Sequence, residues 1–184
     1  MRVIAGEYRS RLLKSCPGDG TRPTLDKVKE AVFSSLGSYF DKGRALDLFA
    51  GSGAIGIECL SRGMEFCLFV DKSGSAINTI KENLKSLSIE NQMVLRSDYH
   101  SVLQQCAVKK EQFDLIYLDP PYEFKIVEEI VKFIADKKML TETGCVVCET
   151  GKDNQLKESI KDLKTTKVAQ YGITKITIYK KKED

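Results

Sequence analysis

Apolar residues follow two alternating rhythms along this chain. Nearly continuous apolar runs at Ala45–Phe49, Phe66–Val70, Met93–Arg96, Phe113–Leu118 and Cys145–Cys148 read as strands. Between and after them, apolar residues fall three and four apart near Ala54–Arg62, Ser75–Leu87, Tyr99–Ala107, Phe124–Ala135 and Gln155–Leu163, which predicts helices. Repeated strand–helix units predict an α/β fold with a doubly wound, mainly parallel sheet, because each helix serves as a crossover. The end of the chain departs from this rhythm. Lys164–Ala169 and Thr174–Tyr179 are strand-like runs separated by Gln170-Tyr171-Gly172-Ile173, a link short enough for a hairpin and hence for an antiparallel strand.

The first forty residues are patterned differently. Residues 2–15 alternate weakly around Gly6-Glu7-Tyr8 and predict a short basic β-hairpin. Pro17, Gly18, Gly20 and Pro23 mark residues 16–23 as a loop. Thr24 is a candidate helix cap, with Asp26 in the first turn, and Leu25, Val28, Val32 and Leu36 then recur at helical spacing up to Gly37. The expected organisation is an appendage of hairpin and helix over residues 1–40 and a main domain over 41–184. No repeat or low-complexity segment interrupts it.

Composition narrows the class. The chain has 184 residues, 42% of them hydrophobic, which suits one globular domain with a small appendage. No apolar run reaches the roughly 18 residues of a membrane span, and the first residues lack an apolar leader core, so the expected compartment is the cytoplasm. Cys145-Val146-Val147-Cys148 has the spacing of a metal or redox pair, but no second close pair exists and His100 is the sole histidine. With Cys59 and Cys67, these residues are expected to pack in the core, and no metal is expected. The net charge of +3 decides little by itself. Its distribution says more: Arg2, Arg9, Arg11, Lys14 and Arg22 crowd the N-terminal segment, where they could meet a phosphate backbone or simply form a solvated face.

Leu46-Asp47-Leu48-Phe49-Ala50-Gly51-Ser52-Gly53-Ala54-Ile55-Gly56 runs from a predicted strand through a glycine turn into a predicted helix. That context makes GxGxxG a cofactor-loop signal, since glycine lets backbone approach a ligand and a helix start offers free N–H groups. Asp71 ends the next strand about 20 residues past Gly51, the spacing of a carboxylate that binds ribose hydroxyls. NAD, FAD and S-adenosylmethionine all fit so far. Asp47 would repel a pyrophosphate but suits a cofactor carrying ammonium and sulfonium charges, or could simply cap the helix or brace the loop. Asp98, after the third strand, could accept from an adenine amine, or could simply cap the helix that follows. The candidate cofactor contacts are Asp47, Phe49, Ala50, Gly51, Ser52, Gly53, Asp71, Lys72, Asp98, Tyr99 and Asp119.

Phe113–Leu118 ends in Asp119-Pro120-Pro121-Tyr122. Two prolines stop the strand, leaving a carboxylate, a rigid carbonyl and an aromatic ring at its C-terminal end, where open α/β sheets bind ligands. A flat nitrogen base could stack on Tyr122 while its exocyclic amine points at Asp119 and the Pro120 carbonyl. The expected chemistry is modification of a nucleobase amine. Asp119, Pro120 and Tyr122 are the candidate catalytic residues.

With Asp47–Gly56, Asp71, Asp98 and Asp119–Tyr122 in this order, the chain resembles the class I S-adenosylmethionine-dependent methyltransferases. Met1-Arg2-Val3-Ile4-Ala5-Gly6, Arg9-Ser10-Arg11, Thr21-Arg22-Pro23-Thr24 and Tyr171-Gly172-Ile173-Thr174 make it similar to the RsmD family in particular, with Ser10 where that family has glycine. The resemblance covers nearly the whole chain. It implies a Rossmann-like methyltransferase fold, S-adenosylmethionine as cofactor, and methylation of guanine N2 in bacterial 16S ribosomal RNA. The expected substrate is RNA in a 30S subunit or assembly intermediate, the expected enzyme is a monomer, and Arg2, Arg9, Arg11, Lys14 and Arg22 are the candidate RNA contacts.

Two other enzyme readings remain. One is amino methylation of another acceptor: DNA adenine N6, another RNA base or a protein glutamine amide. The other is a nicotinamide or flavin oxidoreductase, against which Asp47 and the Asp119–Tyr122 turn both argue. A non-catalytic RNA-binding protein with a relic cofactor fold is the remaining alternative.

Overall fold

The computed structural model describes residues 1–16, 23–121 and 124–182, and of residues 23–25, 124 and 125 the backbone alone. Arg22 and Tyr122, with the rest of the 17–22 loop, lie outside the described residues. The chain divides into two compact units, Met1–Tyr99 and His100–Asp184. No helix among the described residues is long and apolar enough to cross a membrane.

The first unit opens with the expected hairpin. Arg2 bridges Leu12, and Val3 and Arg11 are joined through the Val3 N–H and the Arg11 carbonyl at 3.0 Å. Ser10 takes φ 67°, the left-handed conformation that glycine reaches without strain. Helix α1 (Pro23–Leu36) follows. Proline fits a first helical position because its missing N–H is not needed there. Thr24 therefore lies inside the first turn instead of capping it.

The rest of this unit is two strand–helix–strand crossovers. Strands β1 (Arg44–Asp47), β2 (Phe66–Asp71) and β3 (Gln92–Arg96) are parallel in the order β3-β2-β1, joined by α2 (Ala54–Ser61) and α3 (Gly74–Ser86). Leu46 and Leu48 of the β1 region, Ile57 of α2, Phe69 and Val70 of β2 and Ile80 of α3 are all buried. Helix α2 approaches β2 very closely. A Cβ on Gly56 would stand 2.2 Å from the Phe69 ring and 2.6 Å from Cys67 Sγ, so only glycine fits there.

The second unit holds most of α4 (Tyr99–Val108), β4 (Phe113–Leu118), α5 (Phe124–Asp136) and β5 (Leu140–Gly151). Strands β4 and β5 are parallel. β5 then pairs antiparallel with β8 (Thr174–Lys181), β8 with β7 (Leu163–Tyr171), and β7 with the short β6 (Ser159–Ile160). The expected terminal hairpin is present, turning at Gly172 with φ 62°. The mixed α/β architecture, parallel strands followed by an antiparallel end, is the one the hydrophobic pattern predicts.

Two segments differ from expectation. Gln155–Leu163 is not a helix. Leu156, Ile160 and Leu163 have helical spacing, but Lys161 at φ 58° turns the chain so that Ile160 pairs with Leu163. The extended stretch before it is held by side chains: the Lys157 N–H donates to Glu128 Oε1 at 2.8 Å, and the Tyr179 hydroxyl donates to the Lys157 carbonyl at 2.5 Å. These bonds give the backbone the partners a helix would have supplied. β5 is also longer than its apolar stretch, because the polar residues Thr141 to Gly144 join it across an irregularity in its pairing with β4. Cys145 and Cys148 are buried within β5.

Candidate active site

The glycine turn is shaped by two left-handed residues, Gly51 at φ 53° and Gly53 at φ 80°. Asp71 ties this turn to the end of β2. Its Oδ2 accepts the Gly51 N–H at 2.9 Å, and its Oδ1 accepts the Ser73 N–H at 2.8 Å. Ser73 caps α3 through the Ala76 N–H. One carboxylate thus fixes two loops at the C-terminal ends of neighbouring strands, and each oxygen keeps further acceptor capacity.

Asp47 is buried and its Oδ2 accepts the Gly56 N–H at 3.0 Å. Burial pushes its pKa up to about 7, the Gly56 bond pulls it down, and the nearby Asp71 charge pushes it up. This bond ties the end of β1 to the first turn of α2 across the glycine turn. Ala50, Ser52 and Gly53 are buried, whereas Phe49 is partly exposed and meets the Tyr99 ring at a centroid distance of 5.6 Å. Lys72 and Asp98 are exposed on the flanking loops.

In the second unit, Asp119 follows directly on β4. It is exposed and Pro120 is partly exposed. The described part of the acidic di-proline corner therefore faces solvent at a strand's C-terminal end, the position a substrate-binding corner needs.

On the hairpin, Arg2, Arg9, Arg11 and Lys14 are all exposed. Three of them have partners within the chain: Arg2 Nε lies 4.0 Å from Asp26, Arg11 Nη2 donates to the Ser86 carbonyl at 3.2 Å, and Lys14 Nζ meets Glu82 at 2.8 Å. Exposed contacts of this kind are weak and exchange readily for other partners.

Two supporting residues were not anticipated. Asn83, buried on α3, donates to the Ser52 carbonyl of the glycine turn at 2.9 Å and to the Lys14 carbonyl at 3.0 Å, and accepts the Lys14 N–H at 2.8 Å. Glu58, fully buried on α2, accepts the N–H groups of Ile4 and Ala5 at 2.9 and 3.0 Å, and pairs with Lys29 at 3.2 Å and Arg62 at 2.8 Å. Both were visible as anomalies. Asn83 sits on the apolar stripe of its helix with Ile80 and Leu84, and Glu58 is a lone charge in Ala54–Ser61. A polar group in such a place needs partners.

A cofactor fits this turn. Nothing lies within 4 Å of where a Cβ on Gly51 would be, which leaves open space over the turn, and aromatic and acidic side chains flank it. A family model described as "Conserved hypothetical protein 95" matches residues 1–180. YlbH of Bacillus subtilis is 46% identical over 99% of this chain and 100% of its own length. The Ribosomal RNA small subunit methyltransferase D of Haemophilus influenzae is 35% identical over 85% of this chain and 81% of its own.

The chain belongs to the RsmD family of S-adenosylmethionine-dependent methyltransferases. The solved yhhF structure of Escherichia coli shares the fold, with a TM-score of 0.84 at 27% identity over 100% of this chain and 99% of that one. RsmD membership makes S-adenosylmethionine the cofactor of this Rossmann-like fold.

Proposed function

We propose that this protein methylates the exocyclic N2 amine of a guanine in 16S ribosomal RNA. The observation that carries the reading is the solvent-facing Asp119–Pro120 corner ending β4, in a chain whose glycine turn is bound by acids instead of basic groups. A relative named for small-subunit ribosomal RNA methylation supports the choice of substrate. S-adenosylmethionine supplies an electrophilic methyl on a cationic sulfur.

The chain's own residues then have separable tasks. Asp71 at the end of β2, Lys72 directly after it and Asp98 after β3 are assigned to the polar parts of the cofactor. Phe49 and Tyr99 are assigned to its flat ring, and Ala50, Gly51, Ser52 and Gly53 to backbone contacts. Asp47 is assigned to its cationic end, with the loop-bracing bond to Gly56 as its structural duty. Asp119 and the Pro120 carbonyl accept the N–H groups of the guanine amine, which frees the nitrogen lone pair for attack and stabilises the positive charge that develops. Tyr122 stacks on the base, a contact worth ~1–3 kcal/mol. The target base must be unpaired or flipped out to reach such a corner.

Arg2, Arg9, Arg11, Lys14 and Arg22, within the 1–40 appendage, serve the phosphate backbone. The 41–184 domain does the chemistry. The substrate is RNA within a 30S subunit or assembly intermediate in the cytoplasm, and the enzyme acts as a monomer. Asp119→Ala should abolish methyl transfer to small ribosomal subunits while S-adenosylhomocysteine still raises the melting temperature. Wild-type turnover in that variant removes Asp119 from the mechanism. Label appearing in DNA or protein but not in ribosomal RNA would favour the other amine acceptors.

A further inference from the structure

We propose that Glu149 takes the proton lost by the guanine amine that Asp119 holds. The inference rests on the amino-methylation reading above and adds to it the destination of the proton.

The placement comes from strand register. In β4 and β5, Tyr117 is paired with Val147 and Leu118 with Cys148. One step further, β4 ends and the chain turns at Asp119, while β5 continues through Glu149 to Gly151. β5 therefore outlasts β4 and forms a ledge beside the corner, with neighbouring strands roughly 4.8 Å apart. Side chains alternate between faces, so Glu149 shares the face of Val147 and Tyr117. The Tyr117 hydroxyl confirms this by donating to Glu149 Oε2 at 2.7 Å. Tyr117 pairs with Val147 yet reaches Glu149, so its side chain leans along the strands toward the corner.

The environment suits a proton acceptor. Burial pushes the Glu149 carboxyl above the usual carboxylate range, while the Tyr117 hydrogen bond pulls it back. Among the described residues of β4, Tyr117 is the titratable group bonded to Glu149, Asp119 follows at the end of the strand, and Asp114 accepts instead from the Thr141 hydroxyl. Across the sheet on β8 stands Ile176, which is apolar and buried. Glu149 itself remains partly exposed and can return its proton to water.

The step balances simply. As the nitrogen lone pair forms its bond to the methyl carbon and the carbon–sulfur bond breaks, positive charge grows on the nitrogen, and in the same step Glu149 draws on one N–H bond. That N–H bond breaks and its electron pair returns to the nitrogen and the ring. The proton forms an O–H bond on Glu149, so a cation and a carboxylate become two neutral groups. Such neutralisation is favoured where water is scarce. Asp119, exposed at the corner, is left to hold the amine.

The test uses the full chain, labelled S-adenosylmethionine, and small ribosomal subunits from cells lacking the protein. Glu149→Gln keeps the size of the side chain and an acceptor for Tyr117. Its kcat should fall ~100-fold, the scale of general base catalysis. KM and S-adenosylhomocysteine affinity should stay within about twofold, and the acidic limb of the pH–rate profile set by Glu149 should vanish. Tyr117→Phe should move that limb to higher pH, because losing the hydroxyl donor raises the carboxyl further. The carboxyl-carbon NMR titration of Glu149 should move with it. Asp47 also titrates near neutrality, but Tyr117→Phe should leave its titration in place.

If the pair is only structural, both variants lower the melting temperature and the limb does not move, which overturns the inference. Wild-type kcat in Glu149→Gln overturns it as well. Should Glu149→Gln fail to fold, an unmoved limb in Tyr117→Phe is decisive against it. An inactive Asp119→Ala beside a fully active Glu149→Gln removes Glu149 alone. An active Asp119→Ala removes the amine-holding reading itself.

Discussion

Replacing Asp47 with asparagine should make the protein more stable above neutral pH while weakening cofactor binding. The carboxyl is buried, and its pKa rises from the ordinary 3.8 to about 7. Because the folded value lies above the unfolded one, Asp47 contributes most to stability below about pH 4, where it is protonated in both states. That contribution is lost as pH climbs from 3.8 to about 7, since only the unfolded chain ionises in this window. The full penalty, reached above neutrality, is ~4 kcal/mol. The asparagine amide would keep an oxygen for the Gly56 N–H, now at 3.0 Å from Asp47 Oδ2, and would carry no charge to bury. The gain of Asp47→Asn over wild type should therefore be near zero in acid, grow by ~1.4 kcal/mol per pH step, and level off above pH 7. Urea midpoints measured from pH 5 to pH 9 give the curve, and titration with S-adenosylhomocysteine gives the expected loss of affinity. A variant less stable than wild type at pH 8, or a gain that does not grow between pH 5 and pH 7, would refute the argument.

Two changes to the interior, one at the glycine turn and one on the basic hairpin have expected outcomes. Gly56→Ala must push apart α2 and the Phe69 and Cys67 side chains, at a cost of about 1–3 kcal/mol by denaturant titration. Gly51→Ala meets open space, so its cost is confined to the backbone at about 1–2 kcal/mol, and its main effect should be weaker S-adenosylhomocysteine binding by calorimetry. Glu58→Ala strands the buried Lys29 and Arg62 charges and should lower stability by about 3–5 kcal/mol, seen as a large fall in melting temperature. Arg9→Ala with Arg11→Ala should weaken RNA binding and flatten its logarithmic salt slope by about 2, whereas an unchanged slope would make the hairpin merely structural.

Much of the architecture was legible because each strand of the parallel part is an apolar run bounded by loop residues. Phe113–Leu118 is a strand between the very residues its apolar run marks, and Gly172 marks the final hairpin by type alone. The Gln155–Leu163 segment misled because helical spacing says nothing about long-range hydrogen bonds. Its backbone partners, Glu128 and Tyr179, lie on elements distant in sequence. The polar start of β5 escaped notice for a related reason, since Thr141 to Gly144 join the strand without an apolar signature.

In the candidate site, residue types and spacing pointed to Asp47, Asp71 and the glycines, but not to how they connect. That Asp71 joins two loops, and that Asn83 anchors the glycine turn, depends on side chains meeting across three separate segments. Glu149 was missed as well. Nothing near it in sequence says that β5 outlasts β4, and its partner Tyr117 lies in a different strand.

The bond between the N-terminal hairpin and Glu58 limits how that hairpin can be studied. Clipping the first residues would strip two amide donors from a fully enclosed carboxylate and remove the Arg2 carbonyl that receives the Lys29 ammonium. A truncated chain would thus report damage to its own interior together with any loss of RNA affinity. Neutralising single exposed arginines leaves that interior intact, so point changes are the cleaner tool for asking what the hairpin grips.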